Sequence, residues 1–201
     1  MNAVTHGTVD AAGMTRAEVM QLTPEEQFDL FGERYERVQE LMTGAQLQIS
    51  DGEWRWLAEA FVPTAGVFGL NPPPGADFEN SYFLESTRSI RMPGAAGARE
   101  DLDPMIAYFE SQNWDTTVSS RGSDFVVRAE TGDGYQVSYT VQSNGQYNLN
   151  VYSYVFWGDS NTLLDTVVGR IPNDTSDSPT LTVPGGFVPF PKWSDPVIPD
   201  E

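Results

Sequence analysis

The sequence predicts an α+β fold: an antiparallel β-meander with one face covered by a long N-terminal helix and a second, shorter helix. Three observations predict it. Between Trp114 and Phe156 lie four short runs of alternating apolar and polar residues, WDTTVSS, FVVRAE, YQVSYTVQ and YNLNVYSYVF, separated by turn residues. From Phe28 to Ile49, apolar residues recur at the three-and-four spacing of a helix. A second helical pattern follows Asp103-Pro104. A sheet with one apolar face needs an apolar partner, and these helices supply it.

Taken in order, residues 1–14 are small and polar and read as a flexible end. Thr15 and Glu18 have capping-box spacing and open a short helix over Arg16 to Leu22. The next start is stronger, with Thr23 as cap, Pro24 in the first helical position and Glu26 completing the box. Phe28, Phe31, Tyr35, Val38, Met42, Ala45 and Ile49 then form one stripe that Asp51-Gly52 should end. The stripe reads as core, with a coiled-coil seam as the alternative. Gly32 and Gly44 interrupt it, each weakening a helix by about 1 kcal/mol relative to alanine.

Trp54-Arg55-Trp56 reads as a strand with both indoles on one face. Ala58 to Asp77 is a long loop rich in Gly and Pro, and Ser81 to Ser89 reads as another strand. Leu102, Met105, Ile106 and Phe109 form the apolar side of the second helix, and Asn113 stops it. Asp101 and Asp103 at its start suit the helix dipole; a catalytic carboxylate pair is the alternative. Gly158 to Asn161 is a turn, and Thr162 to Val168 reads as either an edge strand or a short helix. Seven of the fourteen prolines lie in the last thirty residues, so 172–201 reads as an extended, mobile tail with occasional docking through Phe187, Phe190 and Trp193. The chain thus divides into a flexible 1–14, a single domain over 15–171 and a tail over 172–201.

The turns of the meander set its register. A two-residue Asn144-Gly145 loop would put Tyr147, Leu149 and Val151 on the polar face. A three-residue loop with Gly145 left-handed pairs Val141 with Tyr147, Tyr139 with Leu149 and Val137 with Val151, and is expected instead. A Thr131–Asp133 loop sets Ala129 against Tyr135 and Val127 against Val137. A two-residue Arg121-Gly122 loop sets Val118 against Phe125. All three turns agree on one apolar face.

Composition excludes several functions. With 39% hydrophobic and 12% aromatic residues, 201 residues suffice for a sizeable core. A net charge of −18 disfavours nucleic acid and anionic lipid surfaces. The absence of cysteine removes disulfides, thiolate catalysis and Cys-based zinc sites. The single histidine, His6, lies in the flexible end, away from any Ser-His-Asp arrangement. No apolar run approaches the ~18 residues of a membrane span. The first thirty residues lack a signal-peptide pattern, which implies either a cytoplasmic protein or a removed export signal. No phosphate-binding glycine loop, HExxH or EF-hand loop occurs, and no cofactor or metal is implied. Thr131-Gly132-Asp133-Gly134 resembles a calcium-loop fragment but lacks the spaced carboxylates, and a tight turn explains it.

Two surfaces are candidate binding sites. Trp54 and Trp56 are either core aromatics or a stacking platform for a sugar-like ligand. The outer face of the meander carries Gln136, Ser138, Thr140, Gln142, Asn148 and Asn150, with Tyr152 and Tyr154 further along. It reads as a solvated sheet surface or as a polar-aromatic patch for a protein or glycan partner.

The order of elements also resembles a family. A long helix leads into the Trp54-Arg55-Trp56 strand, an Asn71-Pro72-Pro73 loop follows, then an aromatic strand, a second helix and a terminal hairpin set. Over Leu22 to Arg170 this is similar to the mature domain of LppA-like and related actinobacterial lipoproteins. Two departures stand out: Leu70 occupies the place where that family often has a cysteine, and the lipid-bearing cysteine is missing. The resemblance implies an envelope or secreted protein without a known enzymatic activity, and it supplies no catalytic residues. The leading expectation is therefore a non-enzymatic envelope or extracellular domain that binds a protein or glycan. The alternatives are a carboxylate-using hydrolase of carbohydrate type, with Trp54, Trp56 and nearby acids lining a cleft, and an acidic cytoplasmic inhibitor or immunity-type protein suited to a basic target.

Overall fold

The computed structural model describes residues 7–58, 61–171 and 181–198. In chain order its elements are α1 (Arg16–Val19), α2 (Pro24–Gln46), β1 (Trp54–Ala58), β2 (Thr64–Ala65), β3 (Ser81–Phe83), β4 (Glu85–Arg91), α3 (Asp103–Ser111), β5 (Asp115–Arg121), β6 (Asp124–Glu130), β7 (Tyr135–Val141), β8 (Gln146–Ser153), β9 (Phe156–Trp157), α4 (Ser160–Val168) and β10 (Leu181–Thr182). The protein is α+β. One antiparallel sheet runs β10-β1-β4-β8-β7-β6-β5, and a three-stranded sheet runs β2-β3-β9.

Both predicted capping boxes form. Thr15 and Thr23 accept from the backbone N–H of Glu18 and Glu26, whose carboxylates accept in return from the two threonines' N–H groups. The α2 stripe packs on the sheet: Phe28, Phe31, Tyr35, Val38, Met42 and Ala45 are buried against Val127, Val137, Tyr139, Leu149 and Val151. The helix ends at Gln46, a turn before the expected Asp51-Gly52 stop, and Ile49 lies in the following turn, partly buried. Asn113, at φ 57°, ends the α3 segment as expected.

The β7–β8 register is the expected one: Val141 faces Tyr147, Tyr139 faces Leu149 and Val137 faces Val151, with Gly145 left-handed at φ 77°. The other two turns sit one residue later than expected. Arg121 pairs with Asp124 across Gly122-Ser123, and the Thr131 N–H donates to the Tyr135 carbonyl across Gly132 to Gly134. Pairing therefore shifts by two residues, so that Val118 faces Val127, Ala129 faces Val137 and Val127 faces Tyr139. The reason is where each loop needs a left-handed residue. Gly122 (φ 63°) fills the first position of a two-residue loop, and Gly134 (φ 97°) the third position of a three-residue loop. A two-residue shift keeps every side chain on its face, so the apolar face survives the correction. Val118 shares that face but is 43% exposed, on the outermost strand β5.

Four further expectations are corrected. The strand read as Ser81 to Ser89 is two strands, β3 and β4, in different sheets. The chain changes sheet at buried Leu84, whose N–H is held by the Ser153 hydroxyl and whose carbonyl is held by the Ser153 N–H. The Gly158–Asn161 turn is a helix start: Asp159 caps α4 through the Thr162 N–H, which settles 162–168 as helix. His6 lies outside the described residues, but Thr8 to Met14 is fastened to the core. The buried Asp10 carboxylate accepts from the N–H groups of Ala12, Met14 and Trp157 and faces Arg34 at 3.9 Å. Finally, 181–198, read as an extended tail with occasional docking, lies packed on the domain. β10 pairs with the edge of β1, and Phe190 and Trp193 stack on Phe28 at 5.0 and 5.4 Å. Gly32 provides the space, since a Cβ there would lie 2.7 Å from the Phe190 ring. Gly44 does the same for the Tyr108 hydroxyl.

Candidate functional site

Strand alternation divides the sequence candidates between two faces. Trp54 and Trp56 lie on the helix-bearing side. Trp54 is 0% exposed and its indole N–H donates to the Ser50 carbonyl; Trp56 is 9% exposed with the Arg88 guanidinium 3.8 Å above its ring. Neither ring offers a free face to a ligand, so the stacking platform is not formed. The Arg88 side chain, 1% exposed, occupies that position and donates to the Ala58 and Thr87 carbonyls.

Gln136, Ser138, Thr140, Asn148, Asn150 and Tyr152 come together on the opposite, outer wall. Register sets them in transverse rows: Glu130, Gln136, Tyr152 and Glu85; then Arg128, Ser138, Asn150 and Thr87; then Val126, Thr140, Asn148 and Ser89. Strand partners on one face lie close enough for side chains to meet. The Thr87 hydroxyl donates to Asn150 at 2.9 Å, Asn150 to Ser138 at 3.4 Å, Gln146 to Asn148 and Asn148 to Gln142 at 3.3 Å each. On the central strands β7 and β8 the wall is neutral amide and hydroxyl, and charge lies on the flanking strands, Arg128 and Glu130 on β6 and Glu85 on β4. An asparagine amide has two N–H donors and two acceptor sites, so these bonds leave hydrogen-bonding capacity on the wall.

Glu130 organises one border, accepting from Gln136 at 2.6 Å and from the Tyr154 hydroxyl at 2.8 Å. Tyr154 belongs to the wall only through this bond; it also lines a cleft of about 370 Å³ beside Asn71, Pro72 and the N-terminal segment. Burial, then the Glu85 carboxylate, pushes the Tyr152 hydroxyl up to about 12, and burial with a hydrogen bond to Glu130 raises that of Tyr154. Both phenols stay protonated donors near neutrality. Among the described residues the wall shows no nucleophile hydrogen-bonded to a base, and Glu130 is engaged by the Tyr154 hydroxyl. What it presents is a set of hydrogen-bond donors and acceptors.

Sequence reading missed Thr87, Ser89 and Glu85, which complete the wall. Their strand was recognised, but pairing beside β8 depends on the Leu84 sheet change, which has no sequence signature. It also missed the Asp10–Arg34 pair. Among the described residues, no group of three or more Asp, Glu or His side chains is placed to hold a metal. No described helix is long and apolar enough to cross a membrane.

No protein-family model matches the chain, and no curated protein matches it. Among solved structures it is similar to LppA from Mycobacterium tuberculosis, a protein carried under a lipoprotein name, at 16% identity and a TM-score of 0.39, over 76% of this chain and 97% of that one. At those values the likeness is a distant structural one and assigns neither family nor function.

Proposed function

We propose that this protein is a non-enzymatic binding domain of the cell envelope or exterior, which presents the outer wall of its large sheet to a protein or glycan partner. The observation that carries the reading is the neutral hydrogen-bonding field of Ser138, Thr140, Asn148 and Asn150. It lies on the face opposite the helices, and the charged side chains Arg128, Glu130 and Glu85 stand on the flanking strands β6 and β4. Polar sheet faces of ordinary surfaces are dominated by solvated charge, whereas recognition surfaces lose charge at their centre. The net charge of −18 turns basic and anionic partners in opposite directions and leaves neutral glycans to hydrogen bonding.

The test compares wild type with a Thr140→Arg/Asn150→Arg variant, both immobilised. Each is exposed separately to solubilised envelope proteins, isolated wall polysaccharide and cytosol. The expected result is saturable capture from one of the first two fractions, reduced at least tenfold in the variant while its melting temperature is unchanged. Equal capture by both proteins overturns the wall as the site. Capture from cytosol alone overturns the envelope assignment.

A further inference from the structure

We propose that the cleft between the end of α2, the loop over 92–98 and the start of α3 binds a small organic cation, an ammonium group carried on an apolar body. This site is separate from the outer wall, since it is floored by Tyr139 and Tyr147 on the helix-bearing face. Its volume is about 390 Å³, the scale of small-molecule pockets.

The two tyrosines differ in one respect. The Tyr147 hydroxyl is fully used, donating to Asp101 and accepting from the Gly97 N–H at 3.1 Å. Tyr139 is 1% exposed and makes no side-chain hydrogen bond among the described residues. Its hydroxyl is nonetheless not one of the sealed, unpaired polar atoms, which belong to Arg34, Gln46 and Trp56. The hydroxyl therefore keeps a trace of solvent access, on a residue that lines the cleft. Water reaching the cleft serves that hydroxyl in the free protein, and a ligand that supplies an equivalent partner takes the water's place.

Charge then selects the ligand. Glu100 and Asp101 line the cleft, and neither Lys, Arg nor His does. The neighbouring Arg99 is held by Asp103 at 2.8 Å. Asp101 uses Oδ2 for Tyr147 and for the Ala98 N–H, leaving Oδ1 as an acceptor. Burial, followed by the nearby Tyr147 and Asp101, raises the Tyr139 hydroxyl, so it stays neutral beside the carboxylates. Ile49, Met92, Pro93, Ala95 and Pro104 supply the apolar walls. An ammonium would donate to Asp101 Oδ1 and to the Tyr139 oxygen, with its charge near the tyrosine ring faces.

Calorimetric titration of the full chain with phenethylammonium, and with its neutral isostere 2-phenylethanol, tests this. One saturable site is expected for the cation, with the alcohol at least tenfold weaker. Glu100→Gln and Tyr139→Phe should each weaken the cation by about fivefold, the loss expected for one charge or one hydrogen bond. Glu100 is exposed and Tyr139→Phe removes an unbonded hydroxyl, so both variants should melt like wild type. The Thr140→Arg/Asn150→Arg wall variant should bind the cation unchanged, which separates this site from the wall. Equal binding of the alcohol, no saturable binding of the cation, or wild-type affinity in both cleft variants overturns the proposal.

Discussion

Two residues show how single positions decide more than their propensities suggest. Gly32 sits in the middle of α2, where alanine would be about 1 kcal/mol better in an isolated helix. Here an alanine Cβ would press into the Phe190 ring at 2.7 Å, and overpacking of that kind costs about 1–3 kcal/mol. Gly32→Ala should therefore lower stability in urea unfolding by about 1 kcal/mol, and the same change in a Phe190→Ala background should raise it. A stabilising Gly32→Ala in the wild-type chain would show that Phe190 does not occupy that notch. Asp10 is the second case. Its side chain is 0% exposed and accepts three backbone N–H groups while facing Arg34, whose guanidinium also donates to the Tyr82 hydroxyl at 2.6 Å and stacks on Phe156. Asp10→Asn leaves the buried Arg34 charge uncompensated and sets an amide donor near the Trp157 N–H. A loss of about 3 kcal/mol or more is expected, most of it recovered by adding Arg34→Met. Neither position announced itself in the sequence. Asp10 lies in a stretch of small polar residues, and Gly32 reads as a helix defect until Phe190 is in place.

At the level of elements, what was legible is what local rules determine. The capping boxes at Thr15 and Thr23, the α2 stripe and the Gly145 loop follow from residues within a few positions of one another, and they form as read. The wall residues of β7 and β8 were legible for the same reason: alternation puts Gln136, Ser138 and Thr140 on one side whatever the long-range packing. Elements that depend on distant partners were not. The pairing of β4 with β8, the β10 edge on β1 and the seating of Phe190 and Trp193 are contacts between segments far apart in sequence. The cleft at Tyr139 belongs to the same class, since it is assembled from three separate segments. The proline-rich composition suggested a mobile tail because proline discourages regular structure, yet an extended segment can still pack aromatic side chains. A chain ending at Ile171 tests the point. It uncovers Phe28, Phe31 and Tyr35, which touch Phe190, and strips the β1 edge. Large buried aromatics contribute about 3–5 kcal/mol each, so the truncated protein should melt at least 10 °C lower and bind a hydrophobic dye. An unchanged melt would mean that 181–198 contributes nothing to the fold.

For the whole molecule, the telling variable is alkaline pH. Burial raises the hydroxyls of Tyr82, Tyr135 and Tyr139 on the helix side, and it lifts Tyr152 on the outer wall to about 12. An unfolded tyrosine ionises near 10. Between those values the folded protein holds more protons than the unfolded chain, so stability falls as pH rises. The contribution is whole below about 10 and is lost as pH climbs through the folded values. Arginine keeps its charge there, while each phenolate adds to a chain already at −18, so self-repulsion acts in the same direction. The two causes separate by salt. Screening relieves repulsion between exposed charges but leaves the desolvation of a buried phenolate almost untouched. Melting temperature followed from pH 8 upward should therefore fall steeply above about pH 10 at both low and high salt, with only a modest offset between the curves. Phenolate absorbance should appear in step with unfolding rather than before it. Tyr152→Phe should flatten the decline without altering the plateau below it, because the ring stays and only the ionisable hydroxyl beside Glu85 is removed. A decline abolished by salt would assign the effect to net charge instead of to the desolvated tyrosines, buried on the helix side and half-buried on the outer wall.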